Sequence, residues 1–375
     1  MKKYTTKICI TFCFIAGISS LWGQTNDTLQ QDEYKHCAAI FYDINYKGDV
    51  AANLCGGIQK GVAYLGYAQW GIGLDVERLG WWKGGKLFVK GANTHGGGPT
   101  EQLVGDYQVV DNIETGDYTY LQELWFEQQF GNITVKAGLQ DFNADFAVCE
   151  AAQLFLNSSF GVHSALSSNM TLPIFPTTAW ALNVDWSITP IMSLMAGVFD
   201  SPIDLEENPH NLTWRFTKEK GCIAAVEYRV LSNINDRLPG RYTVGFTYHT
   251  AEKEYGAHLS AMQSVWVRNN RSLNLFLMSA LSEKDRDNNH FHLGGGVTCT
   301  GVFSSKGRDE AGLGVTAAFL SSAKKHETTI ELTYRYRVHD NIYLQPNLQY
   351  IINPAGTGVQ LKNALFTAIR TEIQL

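Results

Sequence analysis

Three side chains on one face of one short segment carry the clearest chemistry in this sequence. Glu123, Trp125 and Glu127 alternate with Leu124 and Phe126, so in an extended chain they share a side. An indole can stack on the C–H face of a sugar while flanking carboxylates accept its hydroxyl protons. Lys136 and Gln140 share a face of the next segment, and Arg335 and Arg337 a face of a third, near the C-terminus. Acids and bases opposed across a water-filled space would set up a transverse field that disfavours bulk ions and orients a neutral, hydroxyl-rich solute. The same residues also suit a plainer task, bracing adjacent strands through cross-strand pairs. A slip of one residue in register would turn Trp125 the other way, to pack against lipid. Asn157, Ser158 and Ser159 lie in a long polar stretch and are candidates for a loop that narrows such a space.

Other chemistry is weaker. Residues 80–87 (GWWKGGKL) begin like a phosphate loop but place Leu87 where Ser or Thr must hold magnesium. His290 and His292 share a face if extended, as a metal pair would, yet a solvated loop accounts for them better. Asp285, Asp287 and Asn289 mimic the start of a calcium loop without its following Gly and distal Glu. No metal and no cofactor are expected. Outside the first 23 residues the cysteines are Cys37, Cys55, Cys149, Cys222 and Cys299, odd in number, widely spaced and without a CxxC pair. They read as free thiols, neither a disulfide framework nor a zinc site. Ser and His are abundant but form no recognisable nucleophile motif, so no enzyme is expected.

The elements that must position these residues are strands. The sequence is 12% aromatic with 35 Gly and only 9 Pro, a balance that suits many-stranded β proteins better than long helices. Period two recurs throughout. Tyr242, Val244, Phe246 and Tyr248 alternate with Thr243, Gly245, Thr247 and His249. Ile330, Leu332, Tyr334, Tyr336 and Val338 alternate with Glu331, Thr333, Arg335, Arg337 and His339. Such strands have one apolar and one wet face. Apolar faces that begin or end in Tyr64, Trp70, Trp180, Trp186, Tyr334 or Tyr336 fit an interfacial girdle, with lipid outside and water inside. At about 22 residues per strand and connection, the chain predicts an all-β transmembrane antiparallel barrel of about 16 strands with long extracellular loops. Gly131-Asn132 and Asn341 read as tight reversals. Residues 143–178 are the longest stretch without alternation, with a short helix near 150–155, and 201–221 form a second polar loop.

Residues 1–23 carry Lys2, Lys3 and Lys7, then an apolar run from Ile8 to Ile18, the pattern of a cleaved secretory signal. No later stretch approaches 18 apolar residues, which excludes a spanning helix. A short polar lead, 24–36, precedes a single barrel domain over 37–375. Losing the three leader lysines moves the formal charge from −6 to −9, so nucleic acid is not a partner.

Several blocks resemble the carbohydrate-selective porins of the OprB type, in order and over about residues 40–375. They are 74–81 (LDVERLGW), 105–114 (GDYQVVDNIE), 121–128 (LQELWFEQ), 137–143 (AGLQDFN), 154–161 (LFLNSSFG), 196–200 (AGVFD) and 344–354 (LQPNLQYIINP). The resemblance implies a 16-stranded outer-membrane barrel of a Gram-negative cell that passes monosaccharides such as glucose by diffusion. Its partners would be small sugars and outer-membrane lipid, with a homotrimer as an open option. The family usually closes on an aromatic residue, whereas this chain closes on Leu375. A general, non-selective pore and a plugged structural barrel are the alternatives.

Overall fold

The computed structural model describes residues 39–216, 219–283, 289–320 and 325–375. The leader, the polar lead, Cys37, Asp285 and Asp287 lie outside them. Sixteen strands follow one another around a closed barrel, each antiparallel to its neighbours, and the first pairs with the last. They are β1 (Ile40–Gly57), β2 (Gly61–Asp75), β3 (Gly85–Gly96), β4 (Tyr118–Phe130), β5 (Ile133–Gln140), β6 (Ala179–Thr189), β7 (Met192–Asp200) and β8 (Cys222–Ile234). The second half comprises β9 (Leu238–His249), β10 (Glu254–Arg268), β11 (Arg271–Ser282), β12 (Asn289–Thr300), β13 (Asp309–Leu320), β14 (Lys325–His339), β15 (Ile342–Ile352) and β16 (Lys362–Gln374). Closure leaves no unpaired edge, the condition for a sheet that crosses hydrocarbon.

Polarity is inverted relative to a soluble sandwich. Along β14, Leu332 is 53% exposed while its neighbours Glu331 and Thr333 are buried, at 0% and 1%. The outer surface carries Val62, Val198, Leu182, Leu313 and Ile369 among many exposed aliphatics. Burying carboxylates inside and exposing leucines outside makes sense only if lipid is the outer solvent. Aromatics mark both rims. Phe130, Trp186, Trp266 and Tyr336 are exposed at one, and Tyr64, Phe246, Tyr255 and Tyr350 at the other.

The connections differ by end. At one end they include the tight reversals 131–132, 190–191 and 340–341. At the other lie three long segments: loop A (97–117), loop B (141–178) and loop C (201–221). The expected short helix is a 3₁₀ turn, Glu150–Leu154. Among the described cysteines Cys55, Cys149, Cys222 and Cys299 are all free thiols.

Candidate permeation path

Loops A and B do not stand away from the barrel; they turn into it and bind the inner wall. Buried carboxylates of the wall capture their main-chain amides. Glu331 accepts from Leu156 N (2.6 Å) and Asn157 N (3.0 Å) of loop B, and from Asn347 Nδ2 (2.5 Å) on β15. Glu327 accepts from Tyr107 N (2.7 Å) and Gln108 N (2.9 Å) of loop A. Glu227 on β8 accepts from Ala147 N (2.5 Å). These N–H groups replace the water each carboxylate lost on burial. Arg370 joins β16 to β1 and loop A, donating to both oxygens of Asp49 (3.0 Å or less), to Asp111 (3.0 Å) and to Asn112 (2.9 Å). The two loops bond each other through Asn112 N to Leu156 O (2.8 Å) and Ser158 N to Val109 O (2.9 Å).

Apolar packing completes the docking. Phe155 and Phe160 stack at 4.4 Å, and Phe155 lies 5.6 Å from Phe276 on β11. Phe155 presses on Gly312 and both rings press on Gly314 of β13, where a Cβ would come within 2.7 Å of a ring atom. Phe142, Phe146 and Phe199 form a second cluster under the start of loop B. Asp141 caps the first turn of the loop by accepting from Asn143 N (2.8 Å); burial, then the nearby Glu123, push its carboxyl up to about 7.

Loop B is seated mainly against β8 to β14 and loop A against β14 to β16 and the loop-side ends of β1 and β2. Charge and aromatic surface concentrate on the wall from β1 to β6. Phe41, Phe88 and Trp125 form a row across β1, β3 and β4, with centroids 6.1 Å and then 5.1 Å apart. The rings lie over Gly73 and Gly71 of β2, where a Cβ would stand 1.9 Å and 2.7 Å from them. Glycine is therefore required there for close approach. Lys90 sits 5.6 Å from the Phe88 centroid and Lys136 5.4 Å from that of Trp125.

The residues singled out in the sequence fall as follows. Glu123, Trp125 and Glu127 share the inner face of β4, where Trp125 Nε1 donates to Glu123 Oε2 (2.8 Å). Glu123 pairs with Lys90 (3.1 Å), Glu127 with Lys86 (3.0 Å), and Lys136 with Asp145 of loop B. Gln140 accepts from Asn183 (2.9 Å). Arg335 lies six strands away, bonded to Glu372 (2.7 Å), 3.6 Å from Glu310 and 4.0 Å above the Tyr343 ring, with Arg337 half-buried beyond it on β14. Asn157 and Ser159 are buried in the seam between loop B and the wall, and Ser158 is half-buried. The acids and bases thus meet their opposites one or two strands away or on a docked loop, and do not face one another across the lumen. Phe41, Phe88, Lys86, Lys90 and Asp43 were missed in the sequence, as was loop A. Phe41 and Phe88 left one trace, an aromatic on the wet side of an alternating strand. His290 and His292 form no metal pair: His292 is buried against Thr316 (2.8 Å). No three His, Cys, Asp or Glu among the described residues are grouped to hold a metal ion.

A closed 16-stranded barrel with an apolar exterior, a polar interior and inward-folded loops defines a porin. The chain belongs to the carbohydrate-selective porin, OprB family, whose model matches residues 59–254 and 250–375. It is 24% identical to Porin B of Pseudomonas aeruginosa over 94% of this chain and 89% of that protein. It is 22% identical to a putative porin QuiX of Acinetobacter baylyi, over 89% and 88%. Among solved structures, the high-pH form of Pseudomonas putida OprB superposes with a TM-score of 0.81, at 22% identity and 93% and 96% coverage. The low-pH form of the same protein superposes with 0.61.

Proposed function

We propose that this protein lets small neutral sugars of the glucose type diffuse across the outer membrane of a Gram-negative cell. The observation that carries this reading is the β1–β6 wall, where charged groups occur as adjacent pairs over a row of aromatic rings. Paired charges offer donors and acceptors to hydroxyls while their long-range fields largely cancel. A sugar can exchange part of its hydration for them without being held, and an ion gains little. Glu123, Trp125, Glu127, Lys136 and Gln140, with Lys90 and Phe88, would form one contact strip, and Arg335 and Arg337 a second. Asn157, Ser158 and Ser159 act through the seating of loop B. No bond is made or broken in passage, so the protein works without catalysis.

The inward folding of both loops favours a narrow, selective path over a general pore. Residues 1–23 serve as the cleaved export signal, and the long loops face outward from the cell, as in barrels of this class. Homotrimer assembly is supported by a polar group on the lipid side. The Tyr46 and Tyr64 hydroxyls bond each other, Tyr46 Oη lies 3.5 Å from His95 Nε2, and His95 Nδ1 bonds Asn93 (2.9 Å). Such a cluster, on the outer face near the rim that Tyr64 marks, offers hydrogen-bonding groups that a neighbouring subunit can meet. Swelling of proteoliposomes tests the reading. Glucose should enter several-fold faster than gluconate of nearly equal size, and equal rates would leave a general pore.

A further inference from the structure

Beneath loop B three imidazoles stand in a row. His258 on β10 and His292 on β12 both align with Ala280 of the intervening β11. The small Ala280 leaves room, and His163 of loop B fills it, its ring 5.4 Å from His258 and 5.5 Å from His292. All three are buried, as is Ala280. The row is anchored at both ends. His258 Nε2 meets Glu227 (2.9 Å), which also holds Arg229 and the Ala147 amide. His292 Nε2 meets Thr316 Oγ1, and Thr316 donates to Gln108 of loop A (2.9 Å), whose amide donates to Glu327.

The middle is not anchored. Neither ring nitrogen of His163 has a hydrogen-bond partner, and Nδ1 of His258 and of His292 is likewise unpartnered. The groups facing His163 are His258 on β10, His292 on β12 and, behind His258, Glu227 with Arg229 on β8; Glu254, further along β10, is separated from His163 by Leu166 and Met170, which pack over Gly256. The strand it lies on, β11, presents only Met278 and Ala280. Burial, and then the two flanking rings, hold the His163 imidazole well below its ordinary range; a contact with the Leu259 main chain, outside hydrogen-bond geometry, is the one neighbour that favours charge.

We propose that His163 is the release point of an acid-operated gate. A proton taken up by His163 has no anion to meet, so in acid the segment around Ser164–Ser167 leaves β11 and β12. The space open to it is the sugar path along β1 to β6, which it narrows. The proposal rests on that path being the conducting one. The sign follows from linkage: a base whose ring stays neutral when docked is docked most firmly above the pKa of the free imidazole, about 6.5, and loses docking below it. The docking equilibrium weakens by roughly sixteen-fold between pH 6.5 and 5, approaching about tenfold per pH unit at the acid end.

Single-channel recording at pH 7.5 and 5.0, on the wild type and on His163→Phe, tests the gate. Hydrogen exchange of residues 158–170, corrected for intrinsic rate, should accompany it. The wild type should show long closures and faster exchange only at pH 5.0, and His163→Phe should stay open at both. Equal open probability of the wild type at both pH values overturns the gate, as does wild-type closure in His163→Phe. The wild-type exchange measurement stands even if the variant fails to fold, and exchange unaltered by pH would also overturn it. Glucose block at pH 7.5 is read separately: acid closure without glucose block would keep the gate and remove the sugar reading.

Discussion

Trp125 is held from three sides: its N–H donates to Glu123, its ring packs on Phe88, and Lys136 lies against it. At 6% exposure it offers a solute little beyond an edge, so a sugar meets the Lys90–Glu123 and Lys136–Asp145 pairs first and the rings beneath them second. Trp125→Ala should therefore weaken glucose affinity, measured as block of ion current, by about fivefold, since an aromatic contact is worth about 1 kcal/mol. Ion conductance should rise, because a bulky side chain has gone. The alternation of Glu123, Trp125 and Glu127 with Leu124 and Phe126 was legible in the sequence, and with it their inner face. Their partners were not legible. Lys86, Lys90 and Asp145 become neighbours only through strand register and loop docking, and neither is written in local pattern. Phe41 and Phe88 escaped notice because an aromatic on a wet face reads as a break in the alternation.

The strands themselves were readable, because a residue period of two survives in every segment that separates lipid from water. Tight reversals such as Gly131-Asn132 and the extent of the two longer loops could be read as well. Whether a loop points into solvent or into the lumen could not be, because the deciding groups lie far along the chain: Glu331 for loop B, Glu327 and Arg370 for loop A. Replacing Arg370 with Met leaves the buried Asp49 and Asp111 unpaired and should cost about 3–5 kcal/mol, seen as a lower unfolding temperature in detergent. Glu331→Gln keeps the shape but removes the charge that two amides share. It should free loop B with little loss of barrel stability, and appear as noisier open-channel current.

Loop A and the His163 segment of loop B respond to pH in opposite senses, while Asp141 at the start of loop B, its carboxyl also raised, follows loop A. In loop A, Glu114 accepts from Thr100 N (2.9 Å), yet burial pushes its carboxyl up to about 7. A carboxyl raised on folding favours the docked loop at low pH, and this advantage is lost as pH rises from about 4.5 through 7. The loss amounts to as much as about 3 kcal/mol. Amide exchange at Thr100–Val104, corrected for intrinsic rate, should slow as pH falls from 8 to 5, while exchange near His163 quickens. Exchange changing in one direction at both Thr100–Val104 and the His163 segment would contradict this division.

At the scale of the whole molecule, a barrel of sixteen strands is wide enough to leave an aqueous channel, and the inward loops decide how much of it stays open. The Tyr46–Tyr64–His95 group marks one outer face as different from the rest. If it is a subunit seam, the protein in mild detergent should have the mass of a trimer, and His95→Leu with Tyr64→Leu should shift it toward monomer. An unchanged mass in the double variant would place the seam elsewhere. The central claim, a path selective for neutral sugars, is tested most directly by single-channel current through the purified protein at pH 7.5, titrated with glucose and then with an uncharged non-sugar of similar size. The account predicts saturable block by glucose alone. Current indifferent to glucose would contradict it, and no current at all would mean a barrel closed by its own loops.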